Sequence, residues 1–314
     1  MPIIFHDDVK KGFDGAGEAR QVLLSFLDKT EPELIRWLHH TWNSQGRAIT
    51  YKELREWIMN GYISPELLEQ WQQDYSVFVT RHVAPLYVKA MEAATELLHN
   101  KYPLFAFDST AEGVKEWTDT MGAAFVTNST TEQISAVRWV VARASQLQDL
   151  GVDELARVIR PMVGLNRPQT IANMNYYTRM RQQGLSHRKA QEMSIKYSAK
   201  QSRYRAHMIA RTELAFAYNK GEHEGVAQAI GRGYMGPTVK KWITAGDDRV
   251  CDTCRSLENR SKRNPVPFSS GFDFQTRLKV NYPTIDVCPP AHPHCRCVVI
   301  YEETEPPIFQ TTQP

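Results

Sequence analysis

Apolar residues recur every three or four positions through most of this chain, as they do in helices that bury one face. Strand-like sequence is confined to two stretches near the C-terminus, residues 239–244 and 297–301. The pattern predicts a mainly α-helical protein, with an extended helical N-terminal region and a small α+β module at the C-terminus.

Capping residues mark the start of two helices in the N-terminal region. Thr50 and Glu53 have the three-residue spacing of a capping box, in which each side chain binds the other residue's backbone N–H. Ser64, which precedes a proline and a glutamate, is the clearest N-cap in the chain. We expect the helix behind Ser64 to continue to about residue 100, with a kink at Pro85.

Similar signals predict three further helix starts. Thr30 stands two residues before Pro32, which suits the first turn of a helix. Ser129 and Glu132 repeat the capping-box spacing and predict a break between two helices. Ser186 opens a long helical pattern that approaches the strand-like region.

Breaks in the pattern divide the chain into four regions. A helical N-terminal region covers residues 1–103, and a helical middle region covers residues 104–204. The C-terminal module covers residues 205–302. The last stretch, residues 303–314, is polar and proline-rich, and we expect it to be a mobile tail.

Composition favours a soluble globular protein. Hydrophobic residues make up 42% of the 314 residues, and that length allows two or three domains. No apolar run approaches the roughly 20 residues of a membrane-spanning helix, and the first residues lack the apolar run of a secretory signal. We therefore expect no membrane partner and a reducing compartment.

Charge is distributed very unevenly along the chain. Residues 157–211 contain twelve Lys or Arg and a single acidic residue, Glu192, whereas the remainder is net acidic. Tyr and His residues are interleaved with this basic block, which suits nucleic acid or an acidic protein surface; a solvated basic helix face is the alternative. The candidate DNA-binding residues are Arg179, Arg181, Arg188, Lys189, Lys200, Arg203 and Arg205.

All five cysteines lie between positions 251 and 297, in a C-x-x-C pattern followed by H-x-x-C-x-C. Two intervening residues let a tight turn direct both ligand atoms at one ion, and sulfur with imidazole favours Zn²⁺ over harder cations. Prolines stiffen the second loop, which lowers the entropy lost when a metal closes it. The spacing predicts a structural zinc site.

The predicted ligands are Cys251, Cys254, His292 and Cys295. Cys297 is the main substitute, since it lies on the same side of an extended chain as Cys295. His294 is a weaker candidate ligand than His292, and Cys288 is the cysteine left outside the predicted ligand set. Disulfides or free thiols are the alternative, and a catalytic zinc is disfavoured because four or five such ligands leave no open position.

Four polar residues near these ligands are assigned structural roles. Arg211 and Glu213 are two positions apart, so their side chains point to different faces of one helix. We therefore expect them to bond to different partners. An ion pair from this helix to the sheet is the simplest expectation, and a catalytic glutamate is the alternative. Asp247 and Arg249 fit a turn that follows the first predicted strand.

Three segments together resemble a known family. They are I-A-R-T-E at residues 209–213, D-D-R-V-C-D-T-C at 247–254 and P-P-A-H-P-H-C-R-C at 289–297. In this order they resemble the C-terminal module of the Mu F-like head morphogenesis family, the minor head proteins of tailed phages. The resemblance covers about residues 205–302.

The resemblance implies a minor capsid protein. Because the sequence shows no separate transferase motif set, we do not expect an enzyme. The protein would lie inside the head of the virion, after assembly in the host cytoplasm, and aid procapsid assembly, DNA packaging or DNA delivery. Its implied partners are the portal protein, the major capsid or scaffolding protein, and packaged DNA. The family also implies a module distantly similar in fold to ADP-ribosyltransferases. The alternative functions are a metal-dependent nuclease or an ADP-ribosyltransferase carried in the particle, and a free DNA-binding regulator.

Overall fold

The computed structural model describes residues 15–144, 151–273 and 287–307. The end of the predicted mobile tail, residues 308–314, lies outside these ranges. The helices are α1 (Gly15–Ala48), α2 (Tyr51–Asn60), α3 (Pro65–Phe78), α4 (Ala84–Ala94), α5 (Glu96–Lys101), α6 (Glu112–Ala144), α7 (Val152–Ile159), α8 (Arg167–Gln182), α9 (His187–Gly231) and α10 (Asp252–Arg263). The strands are β1 (Thr238–Ile243), β2 (Val266–Pro267) and β3 (Val298–Glu303). The predicted mainly helical fold with a small C-terminal sheet is confirmed.

Three of the predicted helix starts are confirmed by their hydrogen bonds. The Glu53 N–H donates to the Thr50 hydroxyl at 3.1 Å, and the Thr50 N–H donates to the Glu53 carboxylate at 2.7 Å. Ser64 and Ser186 accept from the third residue of α3 and α9, respectively. In each case the side chain binds a backbone N–H that the helix itself leaves without a partner.

Two predicted helix starts are wrong because the chain stays helical through them. Thr30 and Pro32 lie inside α1, where Thr30 is buried and the proline is exposed. Ser129 is buried within α6, and Glu132 pairs with Arg205 of α9 at 2.6 Å instead of capping. Tertiary contacts therefore override both local signals.

The helix behind Ser64 is interrupted close to the predicted kink. A π-helical turn, Val79–Val83, joins α3 to α4 immediately before Pro85. Such a turn re-routes the hydrogen bonds that a proline would otherwise break. A short gap at Thr95 then separates α4 from α5.

Helix α9 lies at the centre of the fold and packs against α1, α4 and α8. It passes without interruption through the boundary predicted between residues 204 and 205. One hydrophobic core contains side chains from α1, α3, α4, α6, α9 and the C-terminal sheet. The predicted N-terminal, middle and C-terminal regions consequently share this core.

The sheet is antiparallel, in the order β2-β1-β3. Strand β1 pairs with β3 along its whole length, from Thr238 opposite Glu303 to Ile243 opposite Val298. Helix α10 packs on β1, and β3 also contacts α1. The sheet thus connects the loop before β3, which carries the predicted zinc ligands, to the helical core. No helix in the described ranges has the length and hydropathy to cross a membrane.

Two glycines allow α9 to approach α4 closely. A Cβ at Gly221 would overlap the backbone of Met91, and a Cβ at Gly225 would come within 2.6 Å of the Thr95 side chain. The four-residue spacing puts both glycines on the same face of α9. The short distance between these two helices therefore requires glycine at both positions.

A buried chain of hydrogen bonds joins α1, α3 and α6. The Trp42 indole N–H donates to the Tyr75 hydroxyl at 3.0 Å, and that hydroxyl donates to Gln133 at 2.7 Å. Gln133 donates to Gln45 at 3.0 Å, and Gln45 reaches Asp74 at the surface. Because each buried polar group is costly without a partner, this network fixes how the three helices pack.

We expect Gly221→Ala to lower the free energy of unfolding by about 1–3 kcal/mol, because the added methyl group forces α4 away from α9. Gly231→Ala is the matched control, since nothing lies within 4 Å of its Cβ position. That change should be neutral or stabilise by up to about 1 kcal/mol. Urea denaturation of both variants measures the difference, and equal stabilities would contradict the close-packing argument.

Candidate metal centre

The candidate metal centre forms where α10 meets the loop before β3. Cys251 is the N-cap of α10 and accepts the Cys254 N–H at 3.4 Å. Both sulfurs of the C-x-x-C pattern therefore lie at the N-terminus of a helix, where the helix dipole favours thiolates. His292 and Cys295 reach the same point from the opposite loop.

The ligand atoms converge to distances that suit one ion. His292 Nε2 lies 3.2 Å from Cys251 Sγ and 3.4 Å from Cys254 Sγ. Cys254 Sγ lies 3.8 Å from Cys295 Sγ. Two sulfurs on a tetrahedral zinc with bonds of about 2.3 Å are roughly 3.8 Å apart. These residues thus fit a metal of the size and preference of zinc.

Two overlapping groups of three ligands share Cys254. The first is Cys251, Cys254 and His292, and the second is Cys254, Cys295 and Cys297; within each group the ligand atoms lie within 4.8 Å of one another. All four cysteines are free of disulfides. The choice between Cys295 and Cys297 as the fourth ligand stays a prediction, and Cys254 is the residue that both groups contain.

The other two candidate ligands lie outside both groups. The His294 backbone N–H donates to the Thr212 hydroxyl at 3.2 Å, and its ring packs against Tyr204 with 5.5 Å between ring centres. Cys288 is fully buried. His294 has a left-handed backbone with φ 63°, which reverses the chain so that the Cys295 N–H can donate to the His292 carbonyl at 3.1 Å.

Protons and metal compete for this site. A hydrogen bond with Cys295 raises the pKa of His292 to about 9. A metal binds neutral imidazole and thiolate, so it has to displace protons from these groups. Metal affinity is therefore expected to increase as the pH rises towards 9.

Arg296, which sequence reasoning missed, joins the metal loop to the turn after β1. Its guanidinium donates to both Asp247 oxygens, at 2.7 and 2.8 Å, and holds the pKa of that carboxyl well below its usual range. Arg249 also contacts Asp247, at 3.0 Å. The only signal for Arg296 was its position between Cys295 and Cys297.

Arg211 and Glu213 bond to different partners, as their spacing predicts. Arg211 makes two bonds to Glu31 of α1, at 2.7 and 3.1 Å. Glu213 is buried and accepts a hydrogen bond from the Tyr87 hydroxyl of α4. These contacts join α9 to neighbouring helices, and the expected helix-to-sheet ion pair stays a prediction.

The predicted DNA-binding role is wrong for Arg205. Its side chain is 1% exposed, and it donates to Glu132 and to the Gly164 carbonyl. Arg181 is half-buried and donates to the Leu185 carbonyl, while Arg188 pairs with Glu192 at 3.2 Å. Arg179, Lys189, Lys200 and Arg203 are exposed, and the described residues offer none of them a carboxylate partner.

Exposed basic side chains align along one face of α9. Intervals of seven, four, three and four residues repeat the helical period, so these side chains point in nearly the same direction. The stripe is about 27 Å long at 1.5 Å per residue. Lys196 belongs to it although the sequence reasoning did not select it; the periodic spacing was the available signal. We call this surface the basic stripe, and its members are Lys189, Lys196, Lys200, Arg203 and His207.

We expect the purified protein to contain about one zinc ion per chain and Cys254→Ser to contain almost none, with a lower melting temperature. Serine removes the sulfur that both ligand groups share. His294→Asn is the control, because asparagine tolerates the left-handed backbone and His294 lies outside both groups. Elemental analysis and thermal unfolding provide the measurements. Full zinc content in Cys254→Ser, or zinc loss in His294→Asn, would contradict this arrangement.

Comparison with known proteins identifies the family. The family model described as "Phage Mu protein F like protein" matches residues 136–300, which is more than half of the chain. No curated protein and no solved structure matches, so the likeness to ADP-ribosyltransferases stays a prediction. The match contains the basic stripe, the metal centre and most of the sheet. The chain therefore belongs to the phage Mu protein F like family and is a phage head morphogenesis protein.

Proposed function

We propose that this protein is a minor component of the phage head that binds the portal protein and contacts packaged DNA, with a zinc ion holding its C-terminal module together. The observation that carries the proposal is the basic stripe within the family-matched region. A row of exposed basic side chains without carboxylate partners among the described residues suits the evenly spaced phosphates of DNA. The virion interior is the compartment in which a head protein meets such DNA.

Zinc is the ion that we assign to the metal centre. Its candidate ligands are sulfur atoms and one imidazole, and the harder cations Mg²⁺ and Ca²⁺ prefer oxygen. The ion would hold the start of α10 against the loop before β3. Four such ligands close the coordination sphere, which supports a structural role.

We assign portal docking to an exposed apolar patch at the end of α2, within the predicted N-terminal region. Met59 and Tyr62 are 71% and 61% exposed. Large apolar side chains at the surface often mark contacts with other proteins. We call this pair the α2 patch.

A surface substitution tests portal docking better than a truncation, because the N-terminal helices share a core with α9. We expect Met59→Glu with Tyr62→Glu to abolish co-purification with the portal protein and to leave the melting temperature unchanged. Leu104→Glu is the control, since Leu104 is 82% exposed but lies in the segment after α5. Undiminished co-purification of the double variant would refute the assignment of the α2 patch.

We expect the triple variant Lys196→Gln, Lys200→Gln and Arg203→Gln to bind a 20-base-pair duplex roughly 10- to 100-fold more weakly at low salt. The slope of log affinity against log salt should fall by up to about 2.7, because each lost phosphate contact removes about 0.9. Fluorescence anisotropy at several salt concentrations measures both quantities.

A matched control separates the stripe from overall charge. Lys52, Lys89 and Lys115 are exposed on other helices, and changing all three to Gln removes the same charge. This control should keep nearly the wild-type salt slope. Equal losses in both triple variants would mean that net charge, rather than the stripe, determines DNA binding.

Catalysis is the rival class of function. Incubation of the purified protein with DNA and a divalent metal tests for a nuclease, and incubation with labelled NAD tests for an ADP-ribosyltransferase. DNA cleavage or label transfer would favour an enzyme carried in the particle.

A further inference from the structure

A surface groove of about 510 Å³ lies between α6 and the start of α8. None of its lining residues belongs to the metal centre, the α2 patch or the basic stripe. Its size falls in the range of small-molecule sites. The groove is lined by Thr131, Ile134, Ser135, Arg138, Trp139 and Arg167.

The two arginines give the groove a positive charge that the described residues leave uncompensated. Arg138 and Arg167 are both exposed, and neither pairs with a carboxylate of the described chain, whereas Arg205 and Arg211 both do. Arg167 also lies in the first turn of α8, where the positive end of the helix dipole disfavours a cation. An anion bound between these groups would relieve both effects.

The apolar side of the groove is a fixed aromatic surface. Trp139 is half-buried, and part of its indole packs against the hydrophobic core between α6 and α8 while part lines the groove. Ile134 also lines the groove and packs against the same hydrophobic core. The Ser135 and Thr131 side chains add hydroxyl groups that donate or accept hydrogen bonds.

We propose that this groove binds a nucleotide, with the base stacked on Trp139 and the phosphate held by Arg138 and Arg167. Guanidinium groups match phosphate geometry, and an aromatic side chain stacks on any base. The nucleotide is either free or one unit of single-stranded DNA. A base inside a duplex is already stacked on its neighbours and does not reach the indole.

An acidic peptide is the competing ligand class, because carboxylates also pair with arginine. A peptide carboxylate does not need the flat indole surface, whereas a nucleotide uses the arginines, the indole and the hydroxyls together. The chemistry of the whole groove thus favours the nucleotide. A capped Glu-Glu-Leu-Glu-Glu peptide serves as the probe for the rival.

Calorimetric titration of the full chain with dTMP, hexathymidylate, a 12-base-pair duplex, inorganic phosphate and the acidic peptide tests the proposal. We expect saturable binding of dTMP or hexathymidylate, with weaker binding of phosphate, duplex and peptide at this site. If hexathymidylate binds more tightly than dTMP, the ligand of the groove is single-stranded DNA. If the two bind equally per site, the ligand is a free nucleotide. Gln169, two residues after Arg167, donates to the Gln201 carbonyl, between the stripe residues Lys200 and Arg203. The variant Lys196→Gln, Lys200→Gln and Arg203→Gln is therefore titrated as well, and it should keep the wild-type affinity for dTMP.

Variants connect the binding to the groove. Arg138→Gln and Arg167→Gln should each weaken dTMP binding about tenfold, which is the usual effect of one charge-assisted contact. Trp139→Ala should weaken it about tenfold or more, whereas Trp139→Phe keeps a stacking surface and should remain within about threefold of wild type. Arg157→Gln is the matched control, because Arg157 is an exposed residue of α7 that does not line the groove.

Several results would overturn the proposal. The first is the absence of saturable binding of dTMP and hexathymidylate at millimolar concentration. The second is equal binding of inorganic phosphate and dTMP, which would mean an anion site without base recognition. Tighter binding of the acidic peptide would assign the groove to a protein partner. Unchanged dTMP affinity in both arginine variants would locate the binding elsewhere.

Discussion

The close contact between α9 and α4 is the constraint on which the rest of the structure depends. Gly221 and Gly225 of α9 meet Met91 and Thr95 of α4, where a larger residue would clash. At 45 residues, α9 is about 67 Å long and runs from the basic stripe towards the sheet. Because α1 and α8 pack on the same helix, its distance from α4 sets how the N-terminal helices and the C-terminal module share one core.

The same helix orients the metal loop, which has little regular structure of its own. The Asn219 side chain donates to the Cys297 carbonyl at 3.3 Å, and the Thr212 hydroxyl accepts the His294 N–H at 3.2 Å. These bonds fix the loop on the side facing α9, whereas its ligand atoms face α10. The protein contacts already bring most of the ligands within reach of one another. A bound metal would then add its binding free energy to a largely formed site.

Signals that act within a few residues predicted the parts of this structure that local physics determines. The starts of α2, α3 and α9 follow from caps, and the metal loop follows from ligand spacing. Ser129 and Glu132 carry the same capping signal, but Glu132 pairs with Arg205, 73 residues away, and α6 continues. The bond between Arg296 and Asp247 joins positions 49 residues apart, and no local pattern indicates it. Long-range pairing of charged groups is therefore what the sequence alone left undetermined.

Helix α9 also separates two kinds of surface along its length. Charged residues fill the outward face of its first half, whereas Ala210, Ala217 and Gly221 make much of its second half small and buried. Small residues permit close helix packing, while long basic side chains keep their charges in water. Substitutions in the basic stripe should consequently leave the core intact, since exposed sites far from shared contacts act nearly independently. The surface that we assign to DNA can thus vary while the packing that supports the metal centre stays fixed.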